Sequence, residues 1–480
     1  MRILLLSVFT VLSISAFASG QDVEVKVETR ENAASTVFVT GKFPSNSTVK
    51  LRRNLSFVRS YAGFDGLGER VSNVTLRDAK GTSISFQNLV PGEFVAESDI
   101  SEWSYSIDLT PRKEQNAAAH ISWLTKDAGL LMLGDVLPLT SENGKTASAK
   151  ITIILPDGWR QLENRVDGIV DTKDAASEII AVGKDIRFRK AWVGNASITI
   201  CIQGEWLFTG DDITNFAQQI YGQLRSVFNA DPTNEVLVNA FRFPQNPSAG
   251  QWQAETRGRN ITIISSDMAF KTQSIQRLHE QLRHEMFHLW IPNGVNLSGN
   301  YDWFYEGVAL YQSLKTAVAL NRIRFDDFLD TISRARAIDA RQLDRLSLID
   351  ASGKRWRGAD TYIYARGMIS AFLIDLHMLN ASKGKRSIEN LLRELYSKHR
   401  FPAERTDGNA AILDLTGRNP ELATVVERYV KGDGRFEWQK DVALAGLESK
   451  NGLSVIAKPN GRQKDMLDRL GYNNWKRLSR

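Results

Sequence analysis

Apolar and polar residues alternate along much of the chain from about residue 22 to residue 205. The alternation is clear in Val23–Val27, Val37–Val39 and Ile151–Ile154. Because successive side chains of a strand point to opposite faces, this period of two predicts half-buried β-strands. Turn-forming residues separate the runs, as at Ala79–Gly81 and Glu142–Gly144, so we expect a β-rich, antiparallel first domain.

The hydrophobic period lengthens after residue 210. Apolar side chains then recur at helical spacing, at Ile213, Phe216, Ile220, Leu224 and Phe228. Short β-branched runs at Val236–Val238 and Ile261–Ile264 predict strands, and Thr272–Trp290 is predicted to be a long helix that Pro292 and Gly294 end. Strands followed by helices predict an α+β second domain.

Nearly every segment after Asp302 has helical spacing. The predicted helices are Trp303–Leu320, Phe325–Arg336, Tyr362–Leu379 and Ile388–Lys398. The expected organisation is a multidomain α+β protein, with a leader at residues 1–18, a β-rich domain at 19–206, a second domain at 207–446 that is helical after about residue 300, and a basic extension at 447–480.

The first residues have the pattern of an export signal. Arg2 is basic, Ile3–Ile14 is apolar, and Ala16-Phe17-Ala18 provides small residues on either side of a cleavage site. No later stretch approaches the ~20 consecutive apolar residues of a transmembrane helix, so no integral membrane segment is expected after cleavage. We therefore predict a secreted or periplasmic protein.

The composition argues against several other classes of protein. A hydrophobic content of 42% is typical of a packed globular chain and argues against disorder. Cys201 is the only cysteine, so no intramolecular disulfide can form, and its apolar, β-branched neighbours predict a buried thiol. The net charge of +6 is spread along the chain without a nucleic-acid motif, so a nucleic-acid partner is not expected.

The strongest chemical signal is His284–His288, which reads HEMFH within the predicted long helix. Residues four apart lie one above the other on a helix, so both imidazoles project from one face and can bind one tetrahedral zinc ion. Glu285 is turned about 100° around the axis, where it can reach a water near the metal without being a ligand. The alternative is a chance match, or a helix that carries two structural histidines.

A third ligand is predicted at Glu306 on the following helix. Pro292, Gly294 and Gly299 lie between His288 and Glu306, which allows the second helix to pack antiparallel against the first with the carboxylate facing the imidazoles. Two histidines, one carboxylate and an open fourth position are typical of a catalytic rather than a structural zinc site, with one ion per chain. An exposed glutamate on an amphipathic helix is the alternative.

These motifs resemble those of the gluzincin metallopeptidases, in which a HExxH helix is followed by a helix with a glutamate before glycine. His284–Trp290 and Trp303–Gly307 are most similar to the glycyl aminopeptidase family. The resemblance implies a thermolysin-like zinc peptidase domain at residues 207–446. It also implies that a tyrosine in Tyr362–Gly367 stabilises the oxyanion, a role that falls on Tyr364, with Tyr362 as the fallback.

Substrate recognition is less clearly encoded. Related aminopeptidases have a glutamate upstream of the zinc helix that binds the free amine of the substrate, but the corresponding segment, Gly250–Asn260, preserves no intact motif of that kind. Glu255, Gly258 and Tyr362 are the candidate substrate-binding residues. The C-terminal PDZ module of glycyl aminopeptidases has no recognisable counterpart here. His120 has no motif context and is predicted to be structural.

The predicted reaction is hydrolysis of a peptide bond by a water that zinc activates and Glu285 deprotonates. Asn260–Ser265 is expected to align an extended peptide by edge pairing. No partner that orients the liganding imidazoles can be identified, because position 310, one turn after Glu306, is a leucine. Three functions stay open: an aminopeptidase, an endopeptidase with an open cleft, and a secreted binding protein on a catalytically retired scaffold.

Overall fold

A computed structural model describes residues 23–30, 33–43, 52–139, 149–162, 169–172 and 174–474. The predicted export signal, the predicted turn at Glu142–Gly144 and the last six residues of the predicted extension lie outside this part of the chain. Within it, no helix combines the length and the apolarity needed to cross a membrane.

The first half of the chain is rich in β-structure, as predicted. A six-stranded sheet has the order β11-β10-β1-β2-β7-β4, and two three-stranded sheets have the orders β3-β6-β5 and β12-β9-β8. Val37 and Val39 are buried on the inner face of β2, with a more accessible Phe38 between them, which explains the period of two. The elements are β1 (Val23–Arg30), β2 (Ala33–Lys42), β3 (Arg52–Ser56), β4 (Val71–Arg77), β5 (Phe86–Val90), β6 (Glu93–Ile100), β7 (Glu102–Asp108), β8 (Trp123–Leu124), β9 (Ala128–Met132), α1 (Leu133–Val136), β10 (Ala149–Ile154), β11 (Ile169–Thr172) and β12 (Ile179–Gly183).

A five-stranded mixed sheet follows, with the order β13-β14-β15-β17-β16. Its strands and helices are β13 (Ile186–Val193), β14 (Ala196–Gln203), α2 (Gly210–Phe228), β15 (Glu235–Arg242), β16 (Trp252–Arg257), β17 (Asn260–Ser265) and α3 (Lys271–Phe287). The prediction that Asn260–Ser265 forms an edge of the sheet was wrong. This strand, β17, lies between β15 and β16 and is paired on both sides. β16 is antiparallel to β17 and forms the edge. Peptide pairing is therefore possible at β16.

The rest of the chain is mainly helical, as the spacing predicts. The elements are β18 (Leu297–Ser298), α4 (Asp302–Ala319), α5 (Phe325–Arg341), α6 (Leu348–Ser352), α7 (Asp360–Ala381), α8 (Ile388–His399), β19 (Thr406–Asp407), α9 (Gly408–Gly417), α10 (Ala423–Val425), α11 (Gln439–Leu444), β20 (Leu447–Ser449), β21 (Leu453–Val455) and α12 (Gly461–Leu470). Leu447, Leu453 and Leu467 are buried in the same hydrophobic core as α3, α4 and α7, so the described part of the predicted extension is packed.

Two glycines allow α4 and α7 to cross closely. A Cβ atom on Gly307 would lie 2.4 Å from the Cα of Gly367, and one on Gly367 would lie 2.5 Å from the carbonyl oxygen of Trp303. Such distances are far below van der Waals contact, so neither position accepts a side chain without moving a helix. The close crossing brings the start of α7 next to Glu306 on α4.

Candidate metal centre and surrounding cleft

Three buried side chains meet where α3 ends and α4 begins. The Nε2 atoms of His284 and His288 are 3.1 Å apart. The Glu306 Oε2 atom lies 3.0 Å from the Nε2 of His284 and 3.4 Å from that of His288. The sequence placed these residues together, and within the described residues they form the group with metal-ligand geometry.

These distances fit a tetrahedral zinc ion. Ligand atoms at the usual zinc–nitrogen and zinc–oxygen distances are about 3.3 Å apart in a tetrahedron. The Nδ1 of His288 lies 3.1 Å from the carbonyl oxygen of Ile291, so Nδ1 carries the hydrogen and the Nε2 lone pair faces the cluster. A lone pair and a carboxylate oxygen that converge in a buried space are suited to binding a cation.

Glu306 is held in its charged form. Burial alone would raise its pKa, but Arg355 and His288 hold the pKa of the Glu306 carboxyl well below its ordinary value. The Nη1 of Arg355 lies 2.9 Å from Glu306 Oε1, the oxygen that does not face the imidazoles. The carboxylate thus uses one oxygen for the cluster and the other for an ion pair.

Glu285 lies beside the cluster and is oriented by a residue of the edge strand. The hydroxyl of Thr256 is 2.8 Å from Glu285 Oε2 and 2.9 Å from the Glu285 carbonyl oxygen. Asn293 connects the same region of chain: its Nδ2 donates to the carbonyls of Thr256 and His288, each at 3.0 Å. Strand β16 and the end of helix α3 are therefore held together by these hydrogen bonds.

Tyr364 lies beside His284 and Arg355. Its ring centre is 6.0 Å from that of His284, and its hydroxyl oxygen accepts a hydrogen bond of 2.9 Å from the Nη2 of Arg355. Burial, followed by the charge of Glu306, raises the pKa of Tyr364 well above its ordinary value. The phenol thus stays protonated and can donate a hydrogen bond.

Glu255 lies at one end of the same cleft, on β16. The hydroxyl of Tyr61 donates to Oε1, and Oε2 lies 2.9 Å from the Nδ1 of His120 and 2.9 Å from the Nη2 of Arg257. Burial alone would raise the pKa of Glu255, but Arg257 and His120 hold it far below its ordinary value. A carboxylate has about four acceptor positions, so one on Oε1 is left for a ligand.

All of these groups line one cavity of about 520 Å³ between the β-rich half and the half that carries the metal cluster. The β-rich half contributes the wall at the Glu255 end, where Tyr61 and His120 meet Trp356 from the segment before α7. The rings of His120 and Trp356 are 6.1 Å apart, and a Cβ on Gly63 would lie 3.3 Å from that of Trp356. These residues form one wall of the cavity beside Glu255.

Two candidate residues lie elsewhere. Tyr362 is buried and donates to the carbonyl of Leu346 at 2.7 Å; because residues two apart on a helix are about 200° apart, it faces away from the side on which Tyr364 lies. Gly258 is outside the cavity, with its N–H donating to Asn293 at 2.8 Å. Neither is brought to the metal cluster.

The structure also adds residues that the sequence did not single out. Thr256, Arg355, Tyr61 and His120 all line the cavity. Only Thr256 had a local signal, because it directly follows Glu255 in the segment upstream of the zinc helix. The other three come from segments whose spacing carries no motif, and their proximity depends on the packing of separate elements.

We expect loss of the Thr256 hydroxyl to slow catalysis, because this hydroxyl orients the Glu285 carboxylate. Thr256→Val keeps the shape of the side chain but removes its hydrogen bond to the Glu285 carboxylate. The kcat for peptide hydrolysis should therefore fall about 10- to 100-fold with little change in KM. Thr256→Ser keeps the hydroxyl, so its kcat should stay within about threefold of the parent value. Steady-state kinetics would measure this. Thr262→Val is the matched control, because Thr262 lies opposite Glu255 on β17 and its buried hydroxyl has no partner among the described residues. Equal losses in Thr256→Val and Thr256→Ser would contradict the assignment.

Sequence comparisons give no match: neither a family model nor a curated protein matches this chain. Solved structures do match in fold. An aminopeptidase N family protein from Idiomarina loihiensis aligns with a TM-score of 0.76 and 11% identity over 92% of this chain and 82% of that one. A variant of the M1 zinc metallopeptidase from Deinococcus radiodurans, bound to a Tyr-Ser-Ala substrate, aligns with a TM-score of 0.55 and 14% identity over 86% and 94% of the two chains. A two-domain M1 zinc metallopeptidase variant bound to L-arginine aligns with a TM-score of 0.54 and 13% identity over 87% and 95%.

At these identities the comparison concerns the fold. The chain has the multidomain α+β architecture of M1 proteins, with a β-rich first half and a helical last part. The prediction of a gluzincin aminopeptidase-like fold is therefore confirmed.

Proposed function

We propose that this protein is an exported, zinc-dependent aminopeptidase. The observation that carries the proposal is the convergence of His284, His288 and Glu306 at tetrahedral spacing inside a cleft that also contains a carboxylate and a phenol. A retired binding scaffold has no physical requirement for this set of buried polar groups, each of which costs free energy to desolvate. The M1 zinc metallopeptidases with the same fold support the same class of activity.

His284, His288 and Glu306 would hold one zinc ion. When bound, zinc supplies Lewis acidity, which lowers the pKa of a nearby water and polarises the peptide carbonyl. Glu285 would accept the proton of the attacking water and later deliver it to the leaving amine, while Thr256 keeps its carboxylate in place. The protonated Tyr364 would donate to the developing oxyanion, a type of contribution worth about 10²–10³ in rate per donor.

Two features of the Glu255 end favour an aminopeptidase over an endopeptidase. Glu255 is fixed by three donors and keeps one acceptor position, which suits the ammonium group of a peptide N-terminus. Tyr61, His120 and Trp356 line the same cavity beside it. We propose that this wall prevents a substrate from extending beyond its N-terminal amine.

We expect free-amine peptides to be cleaved at least about 100-fold faster than the same peptides with an acetylated N-terminus, because acetylation removes the charge that pairs with Glu255. In Glu255→Gln the KM for free-amine peptides should rise about tenfold or more, since a hydrogen bond to a charged group is lost. Glu280→Gln is the control, because Glu280 is an exposed glutamate of α3 outside the cavity. Equal cleavage of blocked and free peptides would favour the endopeptidase.

Export to the periplasm or the exterior is part of the proposal and is based on Arg2, Ile3–Ile14 and Ala16–Ala18 alone. Sequencing the N-terminus of the protein purified from its native host tests it. A mature chain that begins near Ser19 supports export, and one that retains the apolar stretch in a cytoplasmic fraction contradicts it.

A further inference from the structure

The segment between α6 and α7 places one arginine among five oxygen-bearing side chains. Arg355 contacts Asp302 at 3.0 Å, Asp360 at 3.2 Å and the Tyr305 hydroxyl at 3.3 Å. It also contacts Glu306 and Tyr364. Its side chain is 11% exposed. The zinc motifs contain no arginine, and nothing in the reaction outlined above requires this residue.

We propose that Arg355 is a positioning residue that acts through both Glu306 and Tyr364, an inference that rests on the proposed function. Its guanidinium is a planar fork with five N–H donors in fixed directions. Nη1 donates to Asp302 and Tyr305 and lies 2.9 Å from Glu306 Oε1 as an ion pair. Nη2 donates to the Tyr364 oxygen at 2.9 Å. One rigid group thus sets the distance between a metal ligand and the phenol.

The contact with Glu306 limits how that carboxylate binds. Because Oε1 is occupied by Arg355, only Oε2 faces the two imidazoles. A carboxylate that offers one oxygen leaves more of the metal's coordination sphere for water and substrate than one that offers two. Arg355 also brings a positive charge close to the cation site, which weakens metal binding by Coulomb repulsion.

The contact with Tyr364 sets the direction of its hydrogen bond. The phenol oxygen accepts from Nη2 of Arg355, so its own hydrogen must be donated in another direction, which in this structure is toward Glu306. A nearby cation also makes the phenol a stronger donor. Arg355 therefore lowers zinc affinity while it prepares Tyr364 for the oxyanion, and these opposite effects distinguish positioning from simple structural support.

The test compares Arg355→Met, Arg355→Lys, Tyr364→Phe and the double variant Arg355→Met/Tyr364→Phe in the full-length protein. Zinc affinity is measured by competition with a chromophoric chelator, and kcat and KM are measured with a free-amine peptide. Circular dichroism establishes that each variant is folded. Lysine keeps the charge but cannot reach two oxygens with a planar fork, so it separates charge from geometry.

We expect Arg355→Met to bind zinc about threefold or more tightly, because a nearby positive charge is removed, and to lose about 10- to 100-fold in kcat, a loss of the size seen when one charged hydrogen bond is removed. Arg355→Lys should keep the zinc affinity of the parent and lose kcat. The loss in the double variant should be clearly smaller than the product of the two single losses, because both act through the same phenol.

Three results would overturn the inference: zinc affinity that falls together with kcat in Arg355→Met, an unchanged kcat, or fully multiplicative losses in the double variant. If Arg355→Met is unfolded, the Arg355→Lys variant provides the test. Full activity of Arg355→Lys would show that the planar guanidinium is not needed to position Glu306 and Tyr364. A wild-type protein that binds zinc without cleaving any peptide would refute the proposed function instead, and the zinc affinities of the variants would still decide the effect of Arg355 on the metal.

Discussion

Glu285→Gln should keep its zinc and lose kcat by about 10²–10⁴-fold, the usual range for removal of a general base. The amide has nearly the shape of the carboxylate and can still accept the hydrogen bond from Thr256, but it cannot take a proton from water. Zinc should stay because Glu285 is not one of the three converging ligands. The measurements are metal content by mass spectrometry and kcat on a free-amine peptide.

Glu280→Gln is the matched control for this result. It lies on the same helix, outside the cavity, paired with Arg277 at 3.1 Å, and we expect parental zinc content and kcat within about twofold, as is usual for a surface substitution. Loss of zinc in Glu285→Gln would indicate that the glutamate is a ligand. Full activity of Glu285→Gln would mean that another group acts as the general base and would contradict the proposed mechanism.

The sequence predicted the metal cluster because its geometry is largely local. Two histidines four residues apart on a helix must share a face, whatever the remainder of the fold does. Glu306 was also within reach of sequence reasoning, because a turn-rich link between two helices leaves few packings other than antiparallel neighbours. Here the Nε2 of His284 and the Oε2 of Glu306 are 3.0 Å apart.

The order of the strands in the sheet could not be predicted from the sequence. Asn260–Ser265 and Trp252–Arg257 are neighbouring strands, and periodicity reports which faces are buried without reporting which strand has a partner on each side. The all-buried pattern of β17 is typical of an interior strand, whereas β16 is mostly half-buried. That contrast becomes visible only when burial is known, so the expected peptide-pairing edge was assigned to the wrong strand.

Arg355 and His120 could not be predicted for a related reason. Each is far along the chain from the glutamate that it contacts: Arg355 is 49 residues from Glu306, and His120 is 135 residues from Glu255. Such contacts depend on how whole elements pack, including the close crossing of α4 and α7 at Gly307 and Gly367. His120 was expected to be structural, and the structure places it in the wall of the cleft.

Glu306→Ala should lose both zinc and activity. Two imidazoles alone form a weak and labile site, because tetrahedral catalytic zinc normally takes three protein ligands. The substitution also leaves Arg355 with one fewer carboxylate partner beside the imidazoles, which further disfavours a cation. We expect less than about one tenth of the parental zinc content after dialysis against a weak chelator, and a kcat/KM reduced by at least about 10³-fold, because the metal supplies several kcal/mol of transition-state stabilisation.

Asp302→Asn is the matched comparison for this ligand. Asp302 lies one turn before Glu306 on α4, and its Oδ1 is 3.0 Å from the Nη1 of Arg355, yet it is not one of the three converging ligands. A variant that weakens the same arginine contact without touching the imidazoles should therefore keep its zinc. If both variants lose the metal to the same extent, the ion depends on the charge of the surrounding cleft, and Glu306 is not its ligand. If Glu306→Ala retains stoichiometric zinc, the three-ligand site itself is wrong, and with it the assignment of Glu285 and Tyr364 to a metal-assisted hydrolysis.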